Sequence, residues 1–433
     1  VNFAADVTFA DGADIITASA GTSNFRAGVN AGNSIASGGN FNVVVGDEAG
    51  TAINTGDNNI VIGYAAGDAL TTGEKNIAIG VNALGTDITG GRAVAIGQGA
   101  LFTQNFADGT ANYNVGIGYE AGAAVTTGVQ NTFVGGLAGD ATDDGSYNVA
   151  VGLQALSANC GDRNTAVGES ALSLTTAGNN TGIGNGAGKA ITTGTENTLI
   201  GAFAGDALQD ADENIAIGVN ALGVDTLGSG AVAIGNGALS TQNFESATTN
   251  YNTAVGYRAG YVVTTGQLNT LIGGLTGDAL TVGTYNVAVG ASALSTDTKG
   301  QNNTALGYRA LTTQNFTSPT NSYNTAVGAD AGKEVTTGTQ NTLIGAAAGD
   351  ALGVAYSNVA VGFEALTTDV NGRSSTAIGT QALKVQNYSS STHSYNTAVG
   401  YTAGVAVTTG IRNTLVGAAA GDAIQDADEN EAI

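Results

Sequence analysis

The sequence predicts an all-β fold, a parallel β-solenoid in which short segments of equal length wind as stacked coils. Three observations predict it. A phrase of the form Asn-x-x-(Val/Ile/Leu)-Gly recurs throughout the chain, most often with a seventeen-residue period, as from Gly256 to Gly273. Glycine is abundant, with 68 residues, whereas proline occurs once and tryptophan and methionine are absent. Charged residues make up only 11% of the chain and β-branched residues are plentiful, which disfavours disorder.

The repeat is counted from the glycine that ends this phrase, from Gly46 to Gly417. The interval between successive glycines is mostly seventeen, but it is sixteen twice and twenty-one four times. The phrase from Asn24 to Gly28 is a degenerate first copy, which gives about 23 coils. The residue four positions after each glycine follows a two-Gly, two-Leu order along the chain. Four coils therefore form one 72-residue superrepeat, as from Gly235 to Gly307.

The repeats also define the domain organisation. Residues 24–433 are predicted to form the solenoid shaft, and residues 1–23 an N-terminal lead-in segment. The last copy is incomplete, and the chain begins at Val1 rather than at a methionine. We therefore expect that both ends were trimmed from a longer polypeptide.

Each copy contains two short β-rich pieces separated by turns. In residues 252–268, Thr-Ala-Val-Gly-Tyr precedes an Ala-Gly corner, and Val-Val-Thr-Thr precedes a polar turn. Two strands of about four residues and two turns account for one coil. Coils stacked about 4.8 Å apart would build a rod on the order of 110 Å long.

Stacking places equivalent residues of successive copies in columns. Val255 and Ile272 represent a Val/Ile column that we predict to point into the coil. Ala259 represents an Ala column that leaves room inside only for a methyl group. Gly256 and Gly273 permit positive φ where β-branched residues would be strained. A column of asparagines is expected to hydrogen-bond from copy to copy through its side-chain amides.

The remaining apolar positions predict self-association. Ala254, Leu271 and Ala288 lie beside the predicted inward column, and Leu294 and Leu311 stand at the corner. We expect these residues to need a second apolar surface outside their own coil. Three identical chains around one axis, a homotrimer, would supply that surface most simply.

Two phrases in these copies resemble a known family. Residues 252–260, Asn-Thr-Ala-Val-Gly-Tyr-Arg-Ala-Gly, and residues 303–311, Asn-Thr-Ala-Leu-Gly-Tyr-Arg-Ala-Leu, resemble the head repeats of YadA-like trimeric autotransporter adhesins. They are even more similar to the NTAxGYxAL repeats of bacteriophage tail-fibre proteins. The resemblance covers residues 24–433 and implies a left-handed parallel β-roll in an intertwined homotrimer. The seventeen-residue coil departs from the adhesin heads, whose coils are typically shorter.

The resemblance also implies a function in adhesion or host recognition. We expect a structural or adhesive fibre shaft, first a tail fibre on the virion surface that takes part in host-cell attachment. The alternative is a trimeric adhesin or extracellular filament on the bacterial surface. The expected partners are further copies of the chain and a glycan or protein receptor on the host.

Charge and composition limit the other partners. The net charge is −23, from 35 acidic and 12 basic residues, which disfavours nucleic acid. No run of 18 apolar residues occurs, so we expect no membrane insertion. The one cysteine, Cys160, cannot form an intrachain disulfide, and nothing recurs around the one histidine, His393, that would orient it for catalysis. We predict no enzyme activity and no catalytic residue.

The four longest intervals between repeats contain the candidate receptor contacts. Each holds a loop such as Thr241-Gln242-Asn243-Phe244, followed by a second aromatic residue such as Tyr251. The loop aromatics either fold back as plugs or protrude and contact glycans by stacking and hydrogen bonding. The receptor candidates are Phe106, Phe244, Phe316 and Tyr388.

Two acidic clusters are weak calcium candidates. They contain Asp210 and Asp212 in one copy, and Asp426 and Asp428 in another. Carboxylates at alternate positions can share Ca²⁺, but the glycine-rich spacing of calcium loops is missing. A solvated polar turn is the alternative, and we expect no metal and no cofactor.

Two further solenoid classes fit the sequence less well. An ice-binding solenoid needs threonine on one face of every coil, whereas Thr-Thr-Gly turns fall mainly in one coil of four. A polysaccharide-degrading solenoid needs long loops with converging charged residues, and these loops are short and nearly uncharged. We therefore favour a fibre.

Overall fold

The computed structural model describes residues 20–433, so residues 1–19 of the predicted lead-in segment lie outside the described residues. The chain divides into two compact units, the first ending at Asn180 and the second running from Thr181 to Ile433. Each unit is a parallel β-solenoid built mainly from seventeen-residue coils, and the described residues contain no helix. The predicted fold class is confirmed in this respect.

The described part of the first unit has one three-residue strand in each of its nine coils. Neighbouring strands pair in parallel and in register, so that Ile60 lies opposite Ile77 and Ile62 lies opposite Ile79. The strands are β1 (Phe25–Ala27), β2 (Val43–Val45), β3 (Ile60–Ile62), β4 (Ile77–Ile79), β5 (Val94–Ile96), β6 (Val115–Ile117), β7 (Thr132–Val134), β8 (Val149–Val151) and β9 (Thr165–Val167).

The second unit repeats this arrangement in fifteen coils. Thr253 lies opposite Thr270, and Val255 lies opposite Ile272. Its main strands are β10 (Thr181–Ile183), β11 (Thr198–Ile200), β12 (Ile215–Ile217), β14 (Val232–Ile234), β16 (Thr253–Val255), β17 (Thr270–Ile272), β18 (Val287–Val289), β20 (Thr304–Leu306), β22 (Thr325–Val327), β23 (Thr342–Ile344), β24 (Val359–Val361), β26 (Thr376–Ile378), β28 (Thr397–Val399), β29 (Thr414–Val416) and β30 (Glu431–Ala432).

Short secondary pairings in the second unit accompany its longest intervals between repeats. Each joins two residues before the long loop to two residues after it, in parallel. The pairs are β13 (Gly228–Ser229) with β15 (Thr248–Thr249), β19 (Gly300–Gln301) with β21 (Thr320–Asn321), and β25 (Gly372–Arg373) with β27 (Thr392–His393).

The second β-rich piece of the ordinary coil is not a strand, so the prediction of two strands per coil is wrong. Val263 N donates to Gly260 O of its own coil at 3.0 Å, whereas Thr264 N donates to Thr281 O of the next coil at 2.9 Å. Because turn bonds interrupt the bonds between coils, this piece stacks on its neighbour without forming a ladder.

The middle residue of a main strand points into the coil, and the two flanking residues point outwards, because side chains alternate along a strand. Ala254 and Leu271 are fully buried, whereas Val255 is half-buried and Ile272 is 38% exposed. The predicted inward orientation of the Val/Ile column is therefore wrong. The predicted outward position of Leu294 is also wrong, since this corner residue is fully buried.

The two-Gly, two-Leu order follows from the space inside a coil. In a Leu-corner coil, Leu294 fills the interior beside the small strand residue Ala288, and both are fully buried. In the preceding coil, Leu271 of the strand fills it instead, and a Cβ at the corner residue Gly277 would lie 2.9 Å from Leu271 Cδ2. In each of these two coils, one leucine thus fills the space between the strand and the corner.

A ladder of buried asparagines links successive coils, as the sequence predicts. Asn286 N and Nδ2 both donate to Asn269 Oδ1 at 3.1 Å, and Nδ2 also donates to Gly300 O at 3.0 Å. Asn303 N donates in turn to Asn286 Oδ1 at 3.1 Å. The amide therefore satisfies polar groups that the stacked backbone leaves unpaired.

Candidate functional site

The outward face of the main strands is the most extended candidate surface in each unit. In the first unit, every strand flank from Val43 to Val167 is Val, Ile or Thr. In the second unit, every flank from Thr181 to Val416 is Val, Ile, Leu or Thr. Exposed apolar patches of this kind commonly mark interaction surfaces.

The four receptor candidates do not protrude. Their side chains are buried, with exposed fractions of only 4–6%. Tyr388 Oη donates to Gly410 O at 2.7 Å, so even its hydroxyl is engaged within its own unit. The rings of Phe106, Phe244, Phe316 and Tyr388 offer no open face on which a sugar could stack, and the hypothesis of protruding glycan contacts at these positions does not hold.

The long loops instead complete a buried polar network. Gln314 Nε2 donates to Asp297 Oδ2 at 2.5 Å, and Asn324 Nδ2 donates to Gln314 Oε1 at 2.8 Å. Gly300 N donates to Asp297 Oδ1 at 2.9 Å. All three side chains are fully buried. The same network recurs as Asp87–Gln104–Asn114, Asp225–Gln242–Asn252 and Asp369–Gln386–Asn396.

A signal for this network exists in the sequence, although the sequence predictions did not include these aspartates. They stand seven residues after the strand glycine, where the Gly-corner coils carry apolar residues such as Val263 and Leu280. Val263 and Leu280 are fully buried. A recurrent aspartate in a column that carries buried apolar residues in most of the Gly-corner coils predicts a buried carboxyl.

Burial raises the pKa of three of these carboxyls. It raises the pKa of Asp297 above the ordinary value of 3.8, although hydrogen bonds from Gln314, Gly300 and Phe316 oppose the rise. Burial raises the pKa of Asp87 and Asp369 in the same way. The folded state therefore holds these protons more tightly than the unfolded state does.

We expect the free energy of unfolding to fall as the pH rises above 3.8, because the stability from the raised pKa values is complete below that pH and is lost through the folded pKa. Asp297→Asn should make this fall smaller between about pH 4.5 and pH 7. The variant should also be less stable by about 1–3 kcal/mol at both pH values, because its new side-chain NH2 group would face a hydrogen-bond donor, the NH2 group of Gln314 or the N–H of Gly300. Denaturant titrations at the two pH values measure both effects.

Asp108→Asn is the matched control for this titration. Asp108 is an exposed carboxyl whose pKa is lowered by its hydrogen bond with Thr110, so it is already ionised across the window. Its replacement should leave the pH dependence unchanged. An Asp297→Asn protein with the same pH dependence as the parent would contradict the assignment of a raised pKa.

Carboxylate oxygens of three calcium candidates accept hydrogen bonds from a neighbouring coil. Asp212 Oδ1 accepts from Thr195 N at 2.7 Å, and Asp210 Oδ1 accepts from Thr193 Oγ1 at 2.8 Å. Asp428 Oδ1 accepts from Ile411 N at 2.8 Å. Within residues 20–433, no three His, Cys, Asp or Glu side chains form a group that could hold a metal ion. Calcium at Asp210, Asp212, Asp426 and Asp428 stays a hypothesis.

The two chemically singular residues lie in different settings. Burial raises the pKa of the Cys160 thiol to about 11, and Thr142 Oγ1 lies 3.3 Å from its Sγ. His393 is exposed and stacks on Tyr395, with ring centroids 5.4 Å apart. The thiol is thus kept protonated, and the imidazole belongs to a surface aromatic cluster.

A cavity of about 250 Å³ lies beside Arg258 in the second unit. The Arg258 guanidinium carbon stands 4.1 Å from the centre of the Tyr261 ring, and its buried Nε–H has no hydrogen-bond partner. Tyr257 lines the opening and is 57% exposed. Three uncharged polar residues complete the wall, namely Asn220, Asn236 and Ser240.

No protein-family model matches the chain, and no curated protein shows significant similarity to it. Among the described residues, no helix is long or apolar enough to cross a membrane.

Proposed function

We propose that the chain is the shaft of a structural or adhesive fibre, first a bacteriophage tail fibre that takes part in host-cell attachment. A bacterial trimeric surface adhesin or extracellular filament is the second candidate. The observation that carries the proposal is the outward strand face, which presents uncharged, largely β-branched side chains in coil after coil of each unit. A monomer gains nothing from such a surface, whereas a self-associating shaft buries it.

The coil itself supports a structural rather than a catalytic role. Each coil exchanges backbone hydrogen bonds with the next, since Thr253 N donates to Asn269 O and Gly273 N donates to Val255 O, both at 2.8 Å. In such repeats every unit contacts only its neighbours, so length is added without a larger core. The strand face and the net charge of −23 together favour lateral assembly into a defined homotrimer over indefinite aggregation.

The expected partners follow from this role. The chain would bind further copies of itself through the strand face and a host glycan or protein receptor through surface sites. Nucleic acid is disfavoured by the negative charge. Immuno-electron microscopy of virions and of bacterial surfaces would distinguish the two candidates, because it shows where the fibre is attached.

We expect Ile272→Lys combined with Ile344→Lys to break the homotrimer. Both isoleucines flank main strands and are among the exposed apolar residues of the second unit. An ammonium group placed in an apolar interface costs several kcal/mol per copy unless it is paired. Sedimentation velocity should show the mass of three chains for the parent and of one chain for the double variant.

Leu268→Lys is the matched control for the interface. Leu268 is 42% exposed but lies in a turn, at a position where other coils carry Lys75 and Arg412 with a similar positive φ. It should sediment like the parent. A parent that sediments as one chain, or a double variant that still forms the larger species with unchanged circular dichroism, would count against the strand-face proposal.

A further inference from the structure

The cavity at Arg258 exists because one side chain is missing. Gly237 lines it, and the equivalent positions of the next two superrepeats are Arg309 and Gln381. Arg309 Nε lies 3.4 Å from Asp330 Oδ1, and Gln381 Nε2 donates to Glu364 Oε2 at 2.9 Å. In those superrepeats, the position of Gly237 therefore carries a long side chain that contacts a neighbouring coil.

The solenoid does not require glycine at this position. Gly237 has φ +67°, and Arg309 and Gln381 both adopt +58° at the equivalent positions. A side chain is thus compatible with the local backbone. A Cβ on Gly237 would lie 3.3 Å from Tyr261 Cδ2 and 3.6 Å from Arg258 Cγ, so the missing side chain is what lets Tyr261 and Arg258 stand together at the cavity.

The residues around the gap also depart from the repeat. Where this site has Arg258 and Tyr261, the following superrepeats have Asp330 and Lys333, and then Thr402 and Val405. Arg258 forms no salt bridge with a described residue. Burial raises the pKa of Asp278, and the positive charge of Arg258 opposes this rise without cancelling it. The guanidinium, whose Nε–H has no hydrogen-bond partner, therefore keeps donor capacity for a ligand.

The lining matches the chemistry of a sugar acid. A guanidinium binds a planar carboxylate through two parallel hydrogen bonds. The exposed ring of Tyr257 offers an apolar face to a pyranose ring, and the Asn220, Asn236 and Ser240 side chains supply donors and acceptors for hydroxyl groups. A cavity of about 250 Å³ is in the range of a single sugar residue and below that of most drug-sized ligands.

We propose that this cavity binds one carboxylate-bearing sugar residue of a glycan, with Arg258 on the carboxylate and Tyr257 under the ring. This inference rests on the proposed adhesive function and gives it a ligand class and a place. It also explains why an acidic chain keeps an arginine here without a salt bridge. The site lies in a coil next to a long loop, but it does not use the buried aromatic residue of that loop.

Three small probes test the proposal on the whole chain by saturation-transfer NMR titration: methyl glucuronide, methyl glucoside and acetate. We expect methyl glucuronide to bind, with saturation concentrated on one face of the ring. Methyl glucoside and acetate should each bind at least about tenfold more weakly than methyl glucuronide, because the glucoside lacks the carboxylate and acetate lacks the sugar ring. Equal binding of the glucoside, or no saturation of the glucuronide, would overturn the proposal.

Two variants locate the site. Arg258→Gln should weaken the binding of methyl glucuronide roughly tenfold or more, since it removes the positive charge that binds the carboxylate. Gly237→Gln should abolish binding by filling the gap, and the fold should persist because Gln381 occupies the equivalent position. Unchanged binding in either folded variant, verified by circular dichroism, would overturn the assignment.

The first unit supplies a matched control. Its cavity of about 220 Å³ lies at the equivalent place in an earlier superrepeat, with Gly99 for Gly237, Phe102 for Ser240 and Glu120 for Arg258. Gly99→Gln should leave methyl glucuronide binding unchanged because Glu120 repels a carboxylate. Sedimentation of the parent and all variants separates the two proposals, since a parent that forms an intact homotrimer but does not bind methyl glucuronide refutes only the site.

Discussion

Gly273→Ala will destabilise the second unit by about 3 kcal/mol or more, while Gly274→Ala will leave it as stable as the parent or slightly more stable. A Cβ on Gly273 would lie 2.7 Å from the backbone carbon and oxygen of Gly290 in the next coil. Gly273 also has φ +137°, far from the left-handed helical region near +57° that other side chains can enter. The new methyl group would therefore force two coils apart.

The contrast with the other positive-φ column explains why this effect is large. Ser357, Lys75, Arg412 and Leu268 all adopt φ between 57° and 61° at one turn position, so varied side chains are accepted there. The strand glycines of both units have φ between 127° and 143°. At all of these positions in the second unit except Gly417, the next coil approaches too closely for any side chain, and glycine is required.

Gly274→Ala is the matched control, because Gly274 is the next residue along the chain. A Cβ built there meets no atom within 4 Å, and other coils carry Ala291 or Ala346 at this position. Thermal and denaturant unfolding, followed by circular dichroism, measures both variants. Similar stabilities for Gly273→Ala and Gly274→Ala would show that the coils are not stacked glycine on glycine.

The coil length and the stacking register were readable from the sequence because they depend only on spacing. A phrase that returns at a constant interval places Thr253 opposite Thr270, whatever the side chains do. The inside and outside of the strand were not readable in this way. Ala254 and Val255 are both apolar, so hydrophobicity did not reveal which of them faces the interior. The larger residue was predicted to point inwards, whereas the smaller one does.

Size explains that error in physical terms. The space between the strand and the corner of these coils has room for one large side chain, which comes from the corner in Leu294 and from the strand in Leu271. A small strand residue such as Ala288 is therefore an interior residue that yields space to the corner leucine. The bulky column of Val255 and Ile272 is left for the outside, where no such limit applies.

The candidate sites were harder to predict because they depend on what is missing or hidden. The loop aromatics are conspicuous in the sequence, yet Phe244 is buried against its own unit. The cavity beside Arg258 arises from the absence of a side chain at Gly237, and one glycine among 68 carries no signal of its own. What marks Gly237 and Gly99 is that the equivalent positions of later superrepeats carry the long side chains of Arg309 and Gln381.

Asn286→Ala will destabilise the second unit by about 3–5 kcal/mol, because one amide bonds to its own coil and to both neighbouring coils, and its loss leaves several buried groups unpaired. Asn286 Nδ2 donates to Asn269 Oδ1 and to Gly300 O, and its Oδ1 accepts from both N and Nδ2 of Asn303. The side chains of this ladder are almost completely buried, so water cannot replace these partners.

Asn302→Ser tests whether the effect belongs to the ladder or to asparagine at this end of the coil. Asn302 lies beside Asn303 in a partly exposed turn with φ +60°, where other coils carry Ser357 and Ser374 with nearly the same φ. Its replacement should change stability by no more than about 0.5 kcal/mol. If the two variants unfold at the same denaturant concentration, the amide ladder is not what holds one coil to the next, and the backbone bonds alone must hold the stack. If they differ as expected, the hydrogen bonds between asparagines seventeen residues apart explain why the repeated phrase begins with asparagine.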